Sequence, residues 1–292
     1  RRRIDMAKKM GYHPNLAART LRTKRTFDIG VIFEDKTGAG FQHQYFATVL
    51  SGLQTVAQEK GYEITLTSTK SVKGYDYYNH MKGRGFDGVA ILSSDFAAAE
   101  MKKLVQSDIP TVTLDFFYDK KHTAVMSNNI AGISELAEYV ISMGHRKIAM
   151  IHGENTLVTK ERIDSFKKTC SMHSITIPDE YFAEALYNDP LTSGEATSIL
   201  LSLPEPPTCI FYPDDYSALG GIRELNARGL KAGKDISIVG YDGIMLTSMM
   251  IPPLTTYEQN GEVIGRTMAE ALIDKIENPG SFEPQKETVS GR

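Results

Sequence analysis

The sequence predicts an α/β protein with two lobes, each a parallel sheet covered by helices on both faces. From Asp28 onward, short strands rich in β-branched residues alternate with amphipathic helices, a rhythm typical of parallel sheets. Several strands are apolar throughout, as strands buried on both faces are. About eight such units exceed one sheet of ordinary size. We therefore expect two closely apposed lobes that divide near Ser127–Asn129, with a cleft between them.

The strands follow from short apolar runs. They are predicted at Ile29–Phe33, Glu63–Thr67, Gly88–Leu92, Thr111–Leu114, Ala124–Met126, Lys147–Ile151, Cys209–Tyr212 and Ile236–Gly240. Helices with one apolar face are predicted at Gln44–Lys60, Asn129–Met143 and Tyr216–Arg228, and Gly61, Gly144 and Gly229 follow their ends. Carboxylates, amides and aromatic residues follow the strands. Because ligands of open α/β sheets bind at the carboxyl ends of strands, these positions are candidate binding residues.

Composition excludes several classes of protein. The chain has 292 residues and two cysteines, too few for a disulfide framework or a cysteine-based zinc site. No apolar run is long enough to span a bilayer, and no signal peptide is visible. We therefore expect a cytoplasmic protein without membrane contact.

Catalytic signatures are absent from the sequence. No phosphate-binding loop, nucleophile elbow or HExxH motif is found. His43, His145 and His152 are too scattered to form a metal set. A carboxylate pair at Asp214-Asp215 leaves glycoside hydrolysis open, although simple ligand binding suits the same residues. The expectation is a binding protein, not an enzyme, with no cofactor and no metal.

The amino-terminal segment carries a separate signal. Residues 1–26 contain nine Lys or Arg and one acid, a formal charge of +8, whereas the rest of the chain carries −11. A basic end on an acidic body suggests a polyanionic partner. Pro14 and Asn15 begin a short helix in which Leu21 stands between arginines, as in proteins that wedge a side chain into the minor groove of DNA. Spacing alone favours the alternative, an ordinary connector whose Leu21 packs on the body.

Several blocks, taken together, resemble the LacI/GalR family of bacterial transcription regulators. They are Gly11 to Leu21 (GYHPNLAARTL), Gly144 to Ala149 (GHRKIA), Pro213-Asp214-Asp215 with Ala218-Leu219-Gly220, Asp235 to Asp242 (DISIVGYD), and Pro252 to Thr256 (PPLTT). The resemblance covers essentially the whole chain. It implies a helix-turn-helix domain, a hinge helix and a core like that of periplasmic binding proteins, in which the chain crosses between lobes three times.

The resemblance also implies domain boundaries. Residues 1–12 look like the end of the helix-turn-helix domain, most of which is missing, and 13–26 like the hinge helix and linker. The amino-terminal lobe is expected at 27–128 plus 260–278, and the carboxy-terminal lobe at 129–259 plus 279–292. The crossings are expected near Ser127–Asn129, Tyr257–Gln259 and Asn278–Ser281, which assigns the last strand, Lys286–Val289, to the second lobe.

Site residues are carried over position by position. The implied effector-binding residues are Asp115, Arg162, Asp214, Asp242, Tyr45, Phe46, Phe116, Asn129 and Tyr187, and the implied DNA-binding residues are Asn15, Ala18, Arg19, Leu21 and Arg22. The planar fork of Arg162 suits paired hydroxyls or a carboxylate. Core packing is an equally good reading of Phe46, and a loop cap is the alternative for Asp242.

These residues together predict an allosteric regulator. Its expected partners are operator DNA, a small polar effector such as a saccharide, and a second copy in a homodimer. Two rivals remain. A periplasmic sugar-binding receptor explains the body but not the basic segment, and a sugar-converting enzyme needs a catalytic set that the sequence lacks.

Overall fold

A computed structural model describes residues 25–34, 43–67 and 75–292, together with Thr20 and Thr23. The strands are β1 (Asp28–Phe33), β2 (Glu63–Thr67), β3 (Gly88–Ser93), β4 (Thr111–Leu114), β5 (Thr123–Ser127), β6 (Ile148–His152), β7 (Phe182–Glu184), β8 (Cys209–Phe211), β9 (Ser237–Val239) and β10 (Lys286–Val289). The helices are α1 (Gln44–Glu59), α2 (Tyr77–Arg84), α3 (Ala99–Val105), α4 (Asn129–Ser142), α5 (Leu157–Met172), α6 (Pro190–Leu201), α7 (Asp215–Ala227), α8 (Met245–Met249) and α9 (Gly261–Glu277).

The first lobe is a parallel sheet of order β10-β5-β4-β3-β1-β2. Alternate strand residues point to opposite faces, so the sheet has a core on each side. Helices α1 and α9 cover one face, and α2 and α3 cover the other. The predicted apolar face of α1 is observed in the burial of Val49, Leu53 and Val56. Tyr45 is also buried, whereas its neighbour Phe46 is only half-buried.

The second lobe is a smaller parallel sheet of order β7-β6-β8-β9. Helices α4 and α5 pack on one face, and α6 and α7 pack on the other. The predicted strands and the predicted helices at Asn129–Met143 and Tyr216–Arg228 are present, with ends that differ by one or two residues. The prediction of two parallel α/β lobes is therefore correct.

The prediction for the last strand was wrong. Lys286 to Val289 pairs in parallel with Ala124 to Ser127, which makes β10 the edge strand of the first sheet rather than part of the second lobe. The edge of β5 offers backbone donors and acceptors that β10 satisfies, for example the bond from the Asn128 amide to the Val289 carbonyl. Lys286 and Glu287 give β10 the charged pattern of an edge strand, which does not reveal the sheet to which it belongs.

The third crossing was consequently misplaced at Asn278–Ser281. The first crossing, at Ser127–Asn129, and the second, at Tyr257–Gln259, lie where predicted. The third segment to reach the crossings is Ser290–Arg292, which follows β10. Glu258 and Arg292 exchange backbone bonds of 2.7 and 3.0 Å, and Gly291 N donates to Tyr257 Oη at 2.8 Å. The segments at the lobe boundary are therefore hydrogen-bonded side by side.

Several elements have no clear signal in the sequence. Apolar residues are spread almost evenly around α6, whose buried face includes Ser193, Gly194 and Thr197. Strand β7 has three residues, and none of them is fully buried. Such elements form because neighbouring elements cover them, which periodicity along the chain does not report.

Candidate functional site

The candidate site lies where the carboxyl ends of both sheets approach the crossings. Asp115 follows β4, and Asp242 follows β9 by three residues. Both aspartates have positive φ, 55° and 111°, a backbone region that residues other than glycine rarely adopt. Strained backbone of this kind concentrates at functional sites. Arg162 of the second lobe is close enough to Asp115 of the first to lower its pKa electrostatically.

The first-lobe half of the site is a chain of polar contacts. The hydroxyl of Tyr45 lies 3.1 Å from Ser127 Oγ, and Ser127 donates from both its hydroxyl and its amide to the Asp115 carboxylate. Burial raises the pKa of Asp115 to about 6, against the effect of the two Ser127 hydrogen bonds. The backbone at the end of β5 thus fixes the orientation of this carboxyl group.

The second-lobe half centres on Arg162 of α5, whose side chain is 7% exposed. Its Nε donates to Asn129 Oδ1 at 2.9 Å, and Nη1 donates to the Pro213 carbonyl at 2.8 Å. The guanidinium carbon lies 3.7 Å from the centre of the Tyr241 ring. Two hydrogen bonds and a stacked ring leave the plane of the guanidinium little freedom.

Asp242 connects the site to the second crossing. Its Oδ1 accepts a 2.7 Å hydrogen bond from Gln259 Nε2, while its Oδ2 has no hydrogen-bond partner among the residues that the structure describes. Burial, followed by the charges of Asp214 and Asp215, raises the pKa of Asp242 well above its ordinary value, and Arg162 opposes the rise. The hydrogen bond from Gln259 thus joins this carboxyl group to the second crossing.

Asp214 has a role that the sequence analysis did not assign. It is the N-cap of α7, where Oδ1 accepts from Ser217 N at 2.8 Å. Its Oδ2 accepts from Ser217 Oγ at 2.8 Å and from Asn188 N at 2.7 Å. Both oxygens are thus engaged within the protein, so the structure accounts for Asp214 as a cap. Contact with an effector stays a prediction for this residue.

The aromatic candidates lie beside these groups. Phe46 packs against Phe33 and Tyr45 with ring centres 4.7 and 5.1 Å apart, and Phe116 stacks on Phe96 at 4.7 Å. Both candidates are half-buried, so part of each ring remains accessible. Asn129 is fully buried as the partner of Arg162.

Tyr187, the remaining effector candidate, is half-buried on the second-lobe side. Its ring centre lies 5.9 Å from the Arg162 guanidinium, and its hydroxyl lies 2.9 Å from Thr159 Oγ1.

Sequence reasoning missed Ser127, Tyr241 and Gln259 as individual site residues. Ser127 and Tyr241 stand next to the strand ends that marked the site, which is the signal that could have found them. Gln259 has no such signal, because its contact with Asp242 joins residues 17 apart across a crossing.

The predicted DNA-binding residues lie outside the described residues. They are Asn15, Ala18, Arg19, Leu21 and Arg22. The chain is described again from Arg25, whose Nη2 donates to the Ile276 carbonyl at 3.1 Å near the end of α9. The amides of Thr26 and Phe27 donate to the Asp87 carboxylate at 2.9 and 2.8 Å. The connection that follows the basic segment is therefore fixed to the first lobe.

In residues 25–34, 43–67 and 75–292, no group of three or more His, Cys, Asp or Glu side chains is arranged to hold a metal ion. Over the same ranges, no helix combines the length and apolar character needed to cross a bilayer.

Comparison with known proteins identifies the family. Residues 137–292 match the family model described as a periplasmic binding protein-like domain. The chain is 30% identical over 280 residues to a protein of Bacillus subtilis strain 168 named as the probable HTH-type transcriptional repressor ExuR, covering 94% of this chain and 82% of that one. The chain belongs to the LacI/GalR family.

Solved structures of family members share the fold. A LacI transcriptional regulator from Bacillus cereus subsp. cytotoxis superposes with a TM-score of 0.81 at 28% identity, covering 91% of this chain and 95% of that one. A LacI family regulator from Enterococcus faecium, solved with bound ribose, gives a TM-score of 0.78 at 25% identity and covers 91% and 96%. Membership in this LacI/GalR family makes the chain a transcriptional regulator with an effector-binding fold, and its curated relatives are regulators rather than enzymes.

Proposed function

We propose that the two lobes bind a saccharide between them and that this binding controls the affinity for operator DNA. The observation that carries the proposal is the convergence of Asp115 and Tyr45 from the first lobe with Arg162 and Asp242 from the second. Because residues of both lobes face one ligand site, a ligand there would favour one angle between the lobes.

The chemistry of the cleft supports a polyhydroxylated ligand. Carboxylates such as Asp115 and Asp242 accept hydrogen bonds from hydroxyls, and the Arg162 guanidinium donates to ligand oxygens. The accessible faces of Phe46 and Phe116 can pack against the apolar face of a sugar ring. The ribose bound to the Enterococcus faecium regulator is consistent with this class of ligand.

Helix α9 offers a route from the cleft to the DNA-binding end. It begins after Gln259, which holds Asp242, and ends where Arg25 binds the Ile276 carbonyl. A helix of 17 residues is about 25 Å long, so a rotation of about 10° at the crossings would displace its far end by about 4 Å. Such a displacement would change the separation of the two amino-terminal segments of a dimer, on which insertion into the minor groove depends.

A homodimer is part of the proposal. Exposed apolar side chains cluster on and after α8, where Met245, Met249 and Ile251 are 64%, 65% and 99% exposed. Exposed apolar side chains that lie near one another are typical of protein–protein contact surfaces. A second copy would cover it, and a twofold dimer would match a palindromic operator.

The cytoplasm is the compartment that this function requires. A periplasmic-type receptor without a DNA role would use the same cleft. Two observations favour the regulator: the fixed connection at Arg25, Thr26 and Phe27 that continues from a basic segment, and the repressor relatives. No catalytic role is proposed for the cleft.

The first test is thermal unfolding of the chain with hexoses, pentoses, sugar acids, sugar phosphates and nucleobases. A ligand at 100 times its Kd should stabilise the fold by about 2.7 kcal/mol. Arg162→Ala should abolish the shift, whereas Arg223→Ala, which removes an exposed arginine of α7, should retain it. A retained shift in Arg162→Ala contradicts the proposed site, and chemical conversion of the ligand contradicts a purely regulatory role.

The second test addresses allostery. In an operator-binding assay of the regulator, a ligand that produces the thermal shift should change operator affinity by about fivefold or more, the lower end of ordinary coupling between sites. Identical operator affinity with and without saturating ligand contradicts the allosteric part while leaving the binding site intact.

A further inference from the structure

Asp242 stands in a turn whose backbone is strained at two successive residues. Asp242 and Gly243 have φ values of 111° and 69°. A residue other than glycine rarely adopts such a φ, so the turn keeps this conformation only where the surrounding structure holds it. One backbone bond contributes, since the Asp242 amide donates to the Tyr257 carbonyl at 2.9 Å. The next two amides of the turn, those of Gly243 and Ile244, are instead bound by side chains.

These side chains belong to Asp215 and Thr256, which are also bonded to each other. Asp215 Oδ2 accepts from Ile244 N at 2.9 Å, and Asp215 Oδ1 accepts from Thr256 Oγ1 at 2.6 Å. Thr256 Oγ1 accepts in turn from Gly243 N at 3.2 Å. The two side chains and the two amides therefore form a hydrogen-bonded ring, which fixes the turn from the side opposite its backbone bonds.

The fold leaves room for the Asp215 carboxylate at one glycine. Gly240 directly follows β9, and a Cβ at this position would lie 2.1 Å from Asp215 Oδ1. Asp215 is the first residue of α7 and is 1% exposed. A carboxylate in so closed a place is unfavourable unless hydrogen bonds compensate for the lost water. Because Asp214 already caps α7, the turn accounts for the buried position of Asp215 better than the helix does.

The charge of Asp215 also acts on Asp242. Burial raises the pKa of Asp215 to about 7, the charge of Asp214 adds to this rise, and the bonds of the hydrogen-bonded ring oppose it. Burial likewise raises the pKa of Asp242, followed by the charges of Asp214 and Asp215, while Arg162 opposes the rise. The charged groups that act on the pair are thus Asp214 from α7, Asp242 from the turn and Arg162 from α5.

We propose that Asp215 and Thr256 are positioning residues for effector binding: they hold the turn that contains Asp242, and the charge of Asp215 controls the ionisation of Asp242. Neither residue is expected to contact the effector. This inference rests on the proposed function, in which Asp242 binds the effector.

The electrostatic part is tested first, in the chain without a ligand. Carbon NMR of aspartate-labelled protein follows the titration of the Asp242 carboxyl group, whose signal is identified by its loss in Asp242→Asn. Asp215→Asn should lower the pKa of Asp242, because the variant removes a neighbouring negative charge. Asp164→Asn, at an exposed position of α5, should leave this titration unchanged. An Asp242 titration that Asp215→Asn does not alter would overturn the electrostatic part.

Hydrogen exchange then tests the support of the turn, again without a ligand. Thr256→Val removes the hydroxyl and keeps the shape, so exchange at the Gly243 amide should increase by about tenfold or more. Thr256→Ser keeps the hydroxyl and should hold exchange to within about threefold of the unaltered chain. Thr255→Val, at the neighbouring threonine, is the matched control and should not alter exchange at Gly243. Equal protection of Gly243 in Thr256→Val and the unaltered chain would overturn the role of Thr256.

Calorimetry with D-ribose, D-glucose and D-galactose measures the consequence for binding. For each sugar that the unaltered chain binds, Asp215→Asn and Thr256→Val should weaken the affinity by about tenfold, and Thr256→Ser should restore most of it. The loss in Asp215→Asn should be larger at about pH 8 than at about pH 6, because an asparagine resembles the protonated carboxyl group and not the ionised one. A loss that is equal at the two pH values indicates a structural role only and would overturn the inference.

The failures are distinguishable. Sugar binding that neither Asp215→Asn nor Thr256→Val weakens overturns the positioning inference and leaves the proposed saccharide effector standing. Binding of none of the three sugars counts against the proposed effector, whereas the carboxyl titration and the hydrogen exchange still decide whether the two residues hold the turn. If Asp215→Asn does not fold, the comparison of Thr256→Val with Thr256→Ser decides the matter.

Discussion

At the residue scale, three aspartates near one another have different roles because their surroundings differ. Asp214 caps α7 with both oxygens, and Asp242 keeps one oxygen without a partner in the described structure. Asp215 accepts from Thr256 Oγ1 at 2.6 Å and from Ile244 N at 2.9 Å, which holds the segment after β9 against α7. The three side chains are chemically identical, so only their hydrogen-bond partners distinguish a structural carboxylate from a candidate ligand-binding one.

The stability of the fold should depend on the ionisation of Asp215. Burial raises its pKa to about 7, whereas an aspartate in the unfolded chain titrates near its ordinary value of 3.8. Between these values the folded chain binds more protons than the unfolded chain, so the free energy of unfolding should fall as pH rises from about 4 to about 7. The full effect is about 4 kcal/mol. The fall in the free energy of unfolding is complete at pH values above the pKa of Asp215 in the folded chain.

Urea unfolding between pH 4 and 8 measures this dependence. Asp215→Asn should remove the part of the slope that Asp215 contributes and leave the parts that come from Asp115 and Asp242, whose pKa values burial also raises. Asp164→Asn, at an exposed position of α5, should leave the slope unchanged. A variant at Asp215 with the slope of the unaltered chain would show that burial of this group is not what makes folding depend on pH.

At the element scale, helices α1 and α9 pack closely together in one core of the first lobe. A Cβ on Gly265 would lie 1.9 Å from the Val49 carbonyl oxygen, and one on Gly52 would lie 2.1 Å from the Glu262 carbonyl oxygen. The two helix backbones therefore approach closely at glycines from both sides. The proposed transmission along α9 from the crossings to Arg25 depends on this close packing.

Gly265→Ala should destabilise the fold by about 3 kcal/mol or more, because the added methyl meets backbone atoms that cannot move independently. The matched control is Gly83→Ala in α2, where an added Cβ meets nothing within 4 Å. That change should be neutral or stabilise by up to about 1 kcal/mol, since alanine is the better helix former. Chemical unfolding of both variants gives the comparison, and similar losses in the two would contradict the packing argument.

The connection that precedes β1 is the second feature at this scale. Asp87 accepts the amides of Thr26 and Phe27, so Asp87→Ala should increase hydrogen exchange at these two amides by about tenfold or more. Ligand affinity in the cleft should not change. Asp108→Ala, which removes a carboxylate from an exposed pair with Lys82, serves as the control. Unchanged protection of residues 26 and 27 would mean that Asp87 does not fix the connection.

At the scale of the whole molecule, the crossing segments join the lobes through shared hydrogen bonds. The Asn128 side chain donates to Ser290 Oγ at 2.9 Å, and Glu258 pairs with Arg292 through backbone and side chains. Because the segments share these hydrogen bonds, a change in the angle between the lobes would act on all of them together. Helix α9 starts directly after the second of these segments.

The dimer is tested by substitution at its proposed surface. Ile251→Lys places a charge on the most exposed apolar side chain near α8 and should shift sedimentation from dimer to monomer at micromolar concentration. Met172→Lys, at the end of α5 where the side chain is 71% exposed, should leave the oligomeric state unchanged. A dimer that persists in the Ile251 variant would move the interface elsewhere.

The sequence alone determined the two parallel lobes, most strand positions and the family. It could do so because buried parallel strands leave continuous apolar runs, and because residues at strand ends, such as Asp115 and Asp242, stand next to those runs. Local patterns also placed α1 and α4 within one or two residues.

Only the tertiary structure decided the rest. The sheet that contains β10, the role of Asp214 as a cap and the contact of Gln259 with Asp242 all depend on groups distant in the chain. The physical reason is common to these cases. Periodicity records which residues are buried, whereas hydrogen-bond partners and countercharges depend on which elements meet.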